Sequence, residues 1–308
     1  QGLGKAKRID TARVRYEEFC AASLPDGFDL EGVKIIFDGA NGAGYKVGPR
    51  ALANLGAEVI PIGCSPNGRN INDGCGSTHP DLLQLTVPAV KADVGIALDG
   101  DGDRVVMVDE NGQLIDGDQL LFVLATARKA QGALNGPVVG TVMSNLGLEH
   151  ALRDQGIEFQ RAKVGDRYVL ELLRNNGGVL GGETSGHMLV LDKTTTGDGL
   201  ISALQVLTVM KQADKPLSEL VAGMPRYPQK MVNVRTEQRL DPGKSPEIRD
   251  AVAAAEGELA ETGRVVLRAS GTEPVIRVMV EGEDAKLVDS LAERLASVVA
   301  EAAASQTQ

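Results

Sequence analysis

No run of apolar residues in the sequence approaches the roughly 20 that span a bilayer, and no signal-peptide pattern opens the chain, so a cytoplasmic location is expected. Basic charge is in deficit: 32 Lys and Arg face 42 Asp and Glu, a formal net charge of -10, and the pI is near 5.0. That balance argues against a duplex nucleic acid or an anionic membrane surface as partner, since either would need clustered Lys and Arg over a wide face. It leaves room for a small anionic ligand in a local basic pocket. Cys20, Cys64 and Cys75 are odd in number and form no CxxC pair, which reads as free thiols in a reducing compartment. An initiating methionine is missing too. Gln1 runs directly into the polar lead-in GLGKAKRIDTARVRYEEFC, as expected of a fragment or a processed chain.

What is present is ordinary for a folded protein, with 43% hydrophobic and 24% charged residues. At 308 residues the chain exceeds what one core organises, so two or three compact units are expected. Apolar runs alternate with helical patterns. VKIIFDGANG (33–42) predicts a buried strand and a turn, YKVGPRALANLG a helix stopped at Gly56, and AEVIPIG the next strand. ADVGIALDGDGDRVVMVDENG predicts two strands around a tight acidic loop. From Gly117 the cycle restarts: helix DQLLFVLATARKA, strand PVVGTV, helix LGLEHALRDQ, strand IEFQRA, helix RYVLELLRNN, strand GVLGG and helix GDGLISALQVLTVMKQA. After the proline-marked linker MPRYPQ the order becomes strand, helix, two strands, helix. The expected fold is two successive three-layer α/β domains with mixed sheets (1–113 and 114–224), followed by a small α+β domain (225–308).

The acidic loop raises a chemical question. In LDGDGDRVVMVDENG (98–112), Asp99, Asp101 and Asp103 crowd three carboxylates into five residues, spaced by single glycines and followed by Arg104. Carboxylates at the first, third and fifth positions can converge on a hard cation such as Mg2+, whose charge cancels their repulsion, while the glycines let the backbone fold tightly. A solvated acidic turn is the plainer alternative. An EF-hand is not, because its sixth position requires Gly and here holds Arg104. An aspartyl-phosphate phosphatase, with Asp99 as nucleophile, would need a Lys and further carboxylates at later strand ends, and no such set is evident.

Two further stretches carry chemistry. GGETSGHM (181–188) places Glu183, Ser185 and His187 on a Gly-rich loop from which acceptors, a hydroxyl and an imidazole can reach a polyol; a simple polar turn built on Gly186 would look the same. RASGTEPVIRVMVEG (268–282) offers Arg268, Ser270, Gly271, Thr272 and Arg277, guanidinium forks and hydroxyls suited to a phosphate, where the plain alternative is an ordinary hairpin.

The succession DGDGDR, GExSGH and RxSGTEPxxRVMVEG resembles the α-D-phosphohexomutase superfamily over essentially the whole chain. AKVGDRYV (162–169), LDKTTTGDG (191–199) and the last motif are similar to the bacterial phosphoglucosamine mutases within it. The resemblance implies four domains around a cleft and an isomerase of phosphosugars. It implies Asp99, Asp101 and Asp103 as ligands of Mg2+, and Arg104 beside the phosphoryl group in transfer. Glu183 and Ser185 would bind sugar hydroxyls. Arg268, Ser270, Gly271, Thr272 and Arg277 would grip the phosphate that is not reacting. His187 would serve in acid–base work or in a sugar or phosphate contact, and Lys163 and Arg167 would be further ligand contacts. The superfamily's TASHNP-like or SASHNP-like serine loop has no counterpart here, since position 1 already corresponds to the second family domain. The resemblance therefore implies a chain without its covalent phosphoryl carrier, inactive alone, from an enzyme interconverting glucosamine 6-phosphate and glucosamine 1-phosphate for UDP-N-acetylglucosamine and cell-wall synthesis. A non-catalytic phosphosugar-binding fragment, or phosphomannomutase or phosphoglucomutase specificity, stays open as an alternative. The expected partner is a small phosphosugar, with no nucleic acid or membrane, and the oligomeric state is left open.

Overall fold

Three sheets organise the described residues of the computed structural model, 9–236, 241–269 and 274–305. The polar lead-in folds as helix α1 (Ala12–Ala22), which the apolar pattern does not reveal because only Glu17 and Cys20 are buried. Then follow β1 (Lys34–Asp38), α2 (Val47–Asn54), β2 (Glu58–Ile62), α3 (Asp81–Ala89), β3 (Val94–Leu98), β4 (Val105–Val108) and β5 (Leu114–Ile115). The sheet order is β2-β1-β3-β4-β5, with β1 parallel to both β2 and β3 while β4 and β5 turn antiparallel. All five residues of β3 are buried, as a central strand covered on both faces requires. On one face Ile36, Ala97 and Val106 meet Leu83 and Val87 of α3.

Asp116 starts the second sheet region with a capping box. Its carboxylate accepts the N–H of Asp118 and Gln119, and its own N–H donates to Gln119 Oε1 at 3.2 Å, which fixes the first turn of α4 (Gly117–Ala130). β6 (Val138–Thr141), α5 (Leu146–Asp154), β7 (Phe159–Ala162), α6 (Asp166–Asn176), β8 (Leu180–Gly182), β9 (Met188–Val190), α7 (Gly199–Ala213) and the short α8 (Leu217–Val221) follow. The strands lie in the order β7-β6-β8-β9, with only β9 antiparallel. Val169 and Leu173 of α6 pack on Val139, Ala162 and Leu189.

The last sheet is antiparallel and runs β10-β12-β11: β10 (Gln229–Arg235), β11 (Gly263–Ala269) and β12 (Val275–Gly282), with helices α9 (Pro246–Leu259) and α10 (Ala285–Ser305). Ile276, Val278 and Val280 point to one side, into a core with Leu259, Leu291 and Leu295. The fold class is thus two successive α/β regions, each a mixed sheet packed with helices, followed by a small α+β region. By their internal contacts the residues form two units: one reaches Ser144 and resumes at Ala151–Met224, and the other joins Asn145–His150 to the chain from Pro225 onward. Among the described residues no helix is long and apolar enough to cross a membrane.

The three cysteines are free. Burial foremost, then the charge of Asp198, pushes the Cys20 thiol from 9.0 up to about 12, and burial pushes Cys64 up to about 11. Both groups prefer the neutral form in the fold, so stability is fully present below about pH 9, the unfolded thiol's range, and is lost as pH rises toward 11 and 12. Iodoacetamide at pH 8 should therefore leave buried Cys20 unlabelled and half-buried Cys64 only slowly labelled in the folded chain, and label both quickly after denaturation. Fast native labelling of Cys20 would contradict the burial assigned to it.

Candidate active site and metal-binding loop

Strands β3 and β4 are joined by the acidic loop, and its turn is set by Gly102 at φ +80°. Oδ1 of Asp99 accepts the N–H of Gly102 at 3.2 Å and of Arg104 at 3.1 Å, so this carboxylate is committed to shaping its own loop. The backbone of β1's exit turn presses close: Ala43 N–H donates to Gly100 O at 2.8 Å, and a Cβ on Gly42 would stand 2.2 Å from that same oxygen. Asp99 is buried, Asp103 half-buried and Asp101 exposed. One oxygen of each lies within 4.8 Å of the others.

Burial raises the Asp99 carboxyl above the ordinary carboxylate range; the loop's backbone N–H groups oppose this, and the charges of Asp103 and Asp101 add to it. Arg104 gives only distant relief, its Nε standing 3.8 Å from Asp99 Oδ2 and 3.8 Å from Asp103 Oδ1. Among the described residues Asp103 Oδ1 is buried and accepts no hydrogen bond. An orphaned buried carboxylate oxygen in an all-oxygen donor set fits a hard divalent cation, which would satisfy the atom and cancel the repulsion.

The second loop, between β8 and β9, meets the first. Gly186 adopts φ +92°, its N–H donates to Glu183 O at 2.9 Å, and its carbonyl accepts Val105 N–H at 3.0 Å. That contact continues as an isolated antiparallel bridge between Arg104 and His187. It brings His187 Nδ1 to 3.3 Å from Asp103 Oδ2. His187 is buried, and its Nε2 has no hydrogen-bond partner among the described residues. A Cβ on Gly197 would lie 2.3 Å from that nitrogen. The imidazole therefore faces Asp103 on one edge and peptide backbone on the other.

Glu183 reaches a third segment. Its Oε1 accepts Gly165 N–H at 2.8 Å, while Oε2 receives the Ser185 hydroxyl at 3.4 Å. This ties the segment holding Lys163 and Arg167 to the Glu183 loop. Both cations are exposed and lie over the Tyr168 ring, at 5.8 Å for Lys163 and 4.5 Å for Arg167.

In the other unit, Arg268 on β11 stands directly opposite Arg277 on β12, and Arg277 opposite Asn233 on β10. All three lie on the face away from the α9–α10 core. Like charges directly opposite each other destabilise a sheet, and no carboxylate pairs with either arginine among the described residues. Arg235, missed by the sequence reading, joins them: with Asn233, Thr236, Pro274, Val275 and Arg277 it lines a hollow of about 380 Å3. Its signal was the period-2 placement of Asn233 and Arg235 along one strand face. Ser270, Gly271 and Thr272 lie outside the described residues.

Three domain models of the phosphoglucomutase/phosphomannomutase family match the chain: α/β/α domain II over residues 19–112, α/β/α domain III over 116–227 and the C-terminal domain over 231–298. The phosphoglucosamine mutase of Methylobacillus flagellatus is 57% identical over 303 residues, covering 98% of this chain and 67% of that protein. That of Alkalilimnicola ehrlichii is 55% identical over 305 residues, covering 99% and 68%. Among solved structures, a phosphoglucomutase/phosphomannomutase family protein of Burkholderia thailandensis shares the fold at TM-score 0.79 and 24% identity, over 97% of this chain and 67% of that one. Aspergillus fumigatus N-acetylphosphoglucosamine mutase, in complex with GlcNAc-6P and magnesium, does so at TM-score 0.77 and 22% identity, over 96% and 66%. The chain spans about two thirds of the length of these relatives. Identity above one half across nearly the whole chain, with three consecutive family domains in order, means that the chain belongs to the phosphoglucomutase/phosphomannomutase family, the α-D-phosphohexomutases.

Proposed function

We propose that this chain carries the metal-binding, sugar-binding and phosphate-binding parts of a phosphoglucosamine mutase, in domains at 1–113, 114–224 and 225–308. The complete enzyme interconverts glucosamine 6-phosphate and glucosamine 1-phosphate through a phosphoserine and a bisphosphorylated sugar, supplying UDP-N-acetylglucosamine. The observation that carries this reading is the meeting of two loops, with Asp103 and His187 3.3 Å apart and Arg104 bridged to His187. The names of the relatives and the magnesium complex of the Aspergillus enzyme support it.

Asp99, Asp101 and Asp103 would hold Mg2+, which when bound draws charge from a phosphoryl group in transfer. Arg104, half-exposed beside them, stabilises the charge that spreads over that group's oxygens. His187 orients Asp103 through Nδ1, while Nε2, buried without a hydrogen-bond partner among the described residues, is left for acid–base work or a sugar or phosphate contact. Glu183 and Ser185 take sugar hydroxyls, with Lys163 and Arg167 at the border of that loop. Arg268 and Arg277, with Ser270, Gly271 and Thr272, hold a phosphate, and Arg235 adds a third guanidinium. On this reading the phosphoryl carrier is the family's phosphoserine, whose TASHNP-like or SASHNP-like loop does not occur in this sequence, and the chain assayed by itself is expected to show no turnover.

A purely phosphosugar-binding role is the second reading. It is favoured by the arginine face, which is built within one unit. Assay of the chain with and without a serine-phosphorylated first domain separates the two. Turnover by the chain alone, with full-length enzyme excluded by mass spectrometry, would overturn the placement of the carrier and make Asp99 the first nucleophile to test. Arg268→Ala should weaken glucosamine 6-phosphate binding by roughly 1.5–3 kcal/mol in calorimetry, as loss of a charge-assisted bond to phosphate does. Unchanged affinity would remove the phosphate role.

A further inference from the structure

Helix α1 buries almost no apolar surface and leaves Val14 and Phe19 each 46% exposed, yet it packs on α2 and α7. Its most specific contact is polar. The Tyr16 hydroxyl reaches both carboxylate oxygens of Asp198, at 2.9 Å and 2.8 Å, across 182 residues of sequence. Asp198 already has a local task as the N-cap of α7, its Oδ1 accepting Ile201 N–H at 3.0 Å. That cap needs no tyrosine. The extra bond is made to a carboxylate in a partly buried setting, where charge-assisted hydrogen bonds are strong and directional.

The residues on either side of Asp198 touch the site. Gly199 N–H donates to Gly102 O at 2.9 Å, and a Cβ on Gly199 would lie 2.6 Å from Arg104 O. Gly197 covers the His187 imidazole as described above. Tyr16, Gly197 and Asp198 also line, with Asp101, Gly102 and Asp103, one hollow of about 210 Å3. The turn 197–199 is thus the back wall of both the acidic loop and His187, and its middle residue is held from the far side by Tyr16.

We infer that Tyr16, acting through Asp198, is a positioning residue for the acidic loop and His187: it fixes the turn whose glycines set Gly102, Arg104 and the imidazole in register. The consequence for metal affinity rests on the reading of Asp99, Asp101 and Asp103 as cation ligands; the consequence for His187 does not. Tyr16→Phe removes the hydroxyl and keeps the ring. Leu204→Ala, at a fully buried position on α7, serves as the control for general destabilisation.

The experiment records the imidazole signals of the full chain by NMR, where only His79, His150 and His187 contribute, and titrates Mn2+ followed by electron paramagnetic resonance. Tyr16→Phe should move the His187 signal and the amides of Gly102 and Gly199, and weaken Mn2+ binding about 3- to 10-fold, at or below the range for loss of an outer-shell partner. Leu204→Ala should lower the melting temperature at least as far while moving neither. Unmoved His187, Gly102 and Gly199 signals in Tyr16→Phe, or equal shifts in both variants, would overturn the inference. If the unaltered chain binds no Mn2+, the cation reading fails and the His187 signal alone decides the positioning role. Should Tyr16→Phe fail to fold, Asp198→Asn, which keeps a capping oxygen, tests the same link.

Discussion

Gly186→Ala is expected to dislodge His187 and to cost the fold roughly 3 kcal/mol or more, the sum of strain at a disfavoured backbone angle and a collision with backbone. The angle is φ +92°, and an added Cβ would sit 2.0 Å from Val105 O and 2.7 Å from Val105 C. Neither atom can retreat, because Val105 opens β4, paired with Leu98 across β3, and its N–H is already bonded to Gly186 O. Gly132→Ala provides the comparison, since Gly132 has φ +67° and nothing within 4 Å of its would-be Cβ. It should cost only about 1 kcal/mol, the strain alone. Chemical denaturation of the two variants measures the difference. Equal costs would mean that the loop yields at Val105, and that Gly186 is not what joins the two loops.

Asp101→Asn is expected to do two opposite things. In metal-free buffer it should raise stability by about 0.5–1 kcal/mol, because it removes one of three like charges that otherwise crowd together. In Mg2+ it should abolish the rise in melting temperature that the unaltered chain gains from a ligand bound only in the fold. Affinity for Mn2+ should fall by more than the roughly 10- to 100-fold that loss of an outer-shell partner costs. Asp101 is the informative member of the three because it is exposed and shapes no turn, whereas Asp99 holds two backbone N–H groups. A variant that keeps the full Mg2+ response would sink the cation site. So would one less stable than the parent in the absence of metal.

Much of this was legible in the sequence, for reasons particular to each element. β3 and β4 announce themselves as unbroken apolar runs because central strands bury both faces. The acidic loop is legible because three carboxylates so close together are costly without a purpose. Helix α1 was not, since its role is the single hydroxyl of Tyr16 and not an apolar stripe. Helix α3 was obscured for another reason: it leaves Leu82 and Leu85 exposed, buries only Leu83 and Val87, and contains Pro88. The pairings Arg104 with His187, Arg268 with Arg277, and Tyr16 with Asp198 depend on register and on distant contacts, which no local pattern encodes. His187 illustrates the limit. Its type and loop suggest proton chemistry or ligand contact, but no local pattern in the sequence shows that the imidazole lies 3.3 Å from Asp103 with Gly197 packed against its other nitrogen.

The Arg104–His187 bridge is a single rung between two sheets that otherwise have separate strand orders. A rung of that kind makes the acidic loop and the Glu183 loop one thermodynamic element rather than two. Neither can change its conformation at its own expense only, so the energies of substitutions in the two loops should not add.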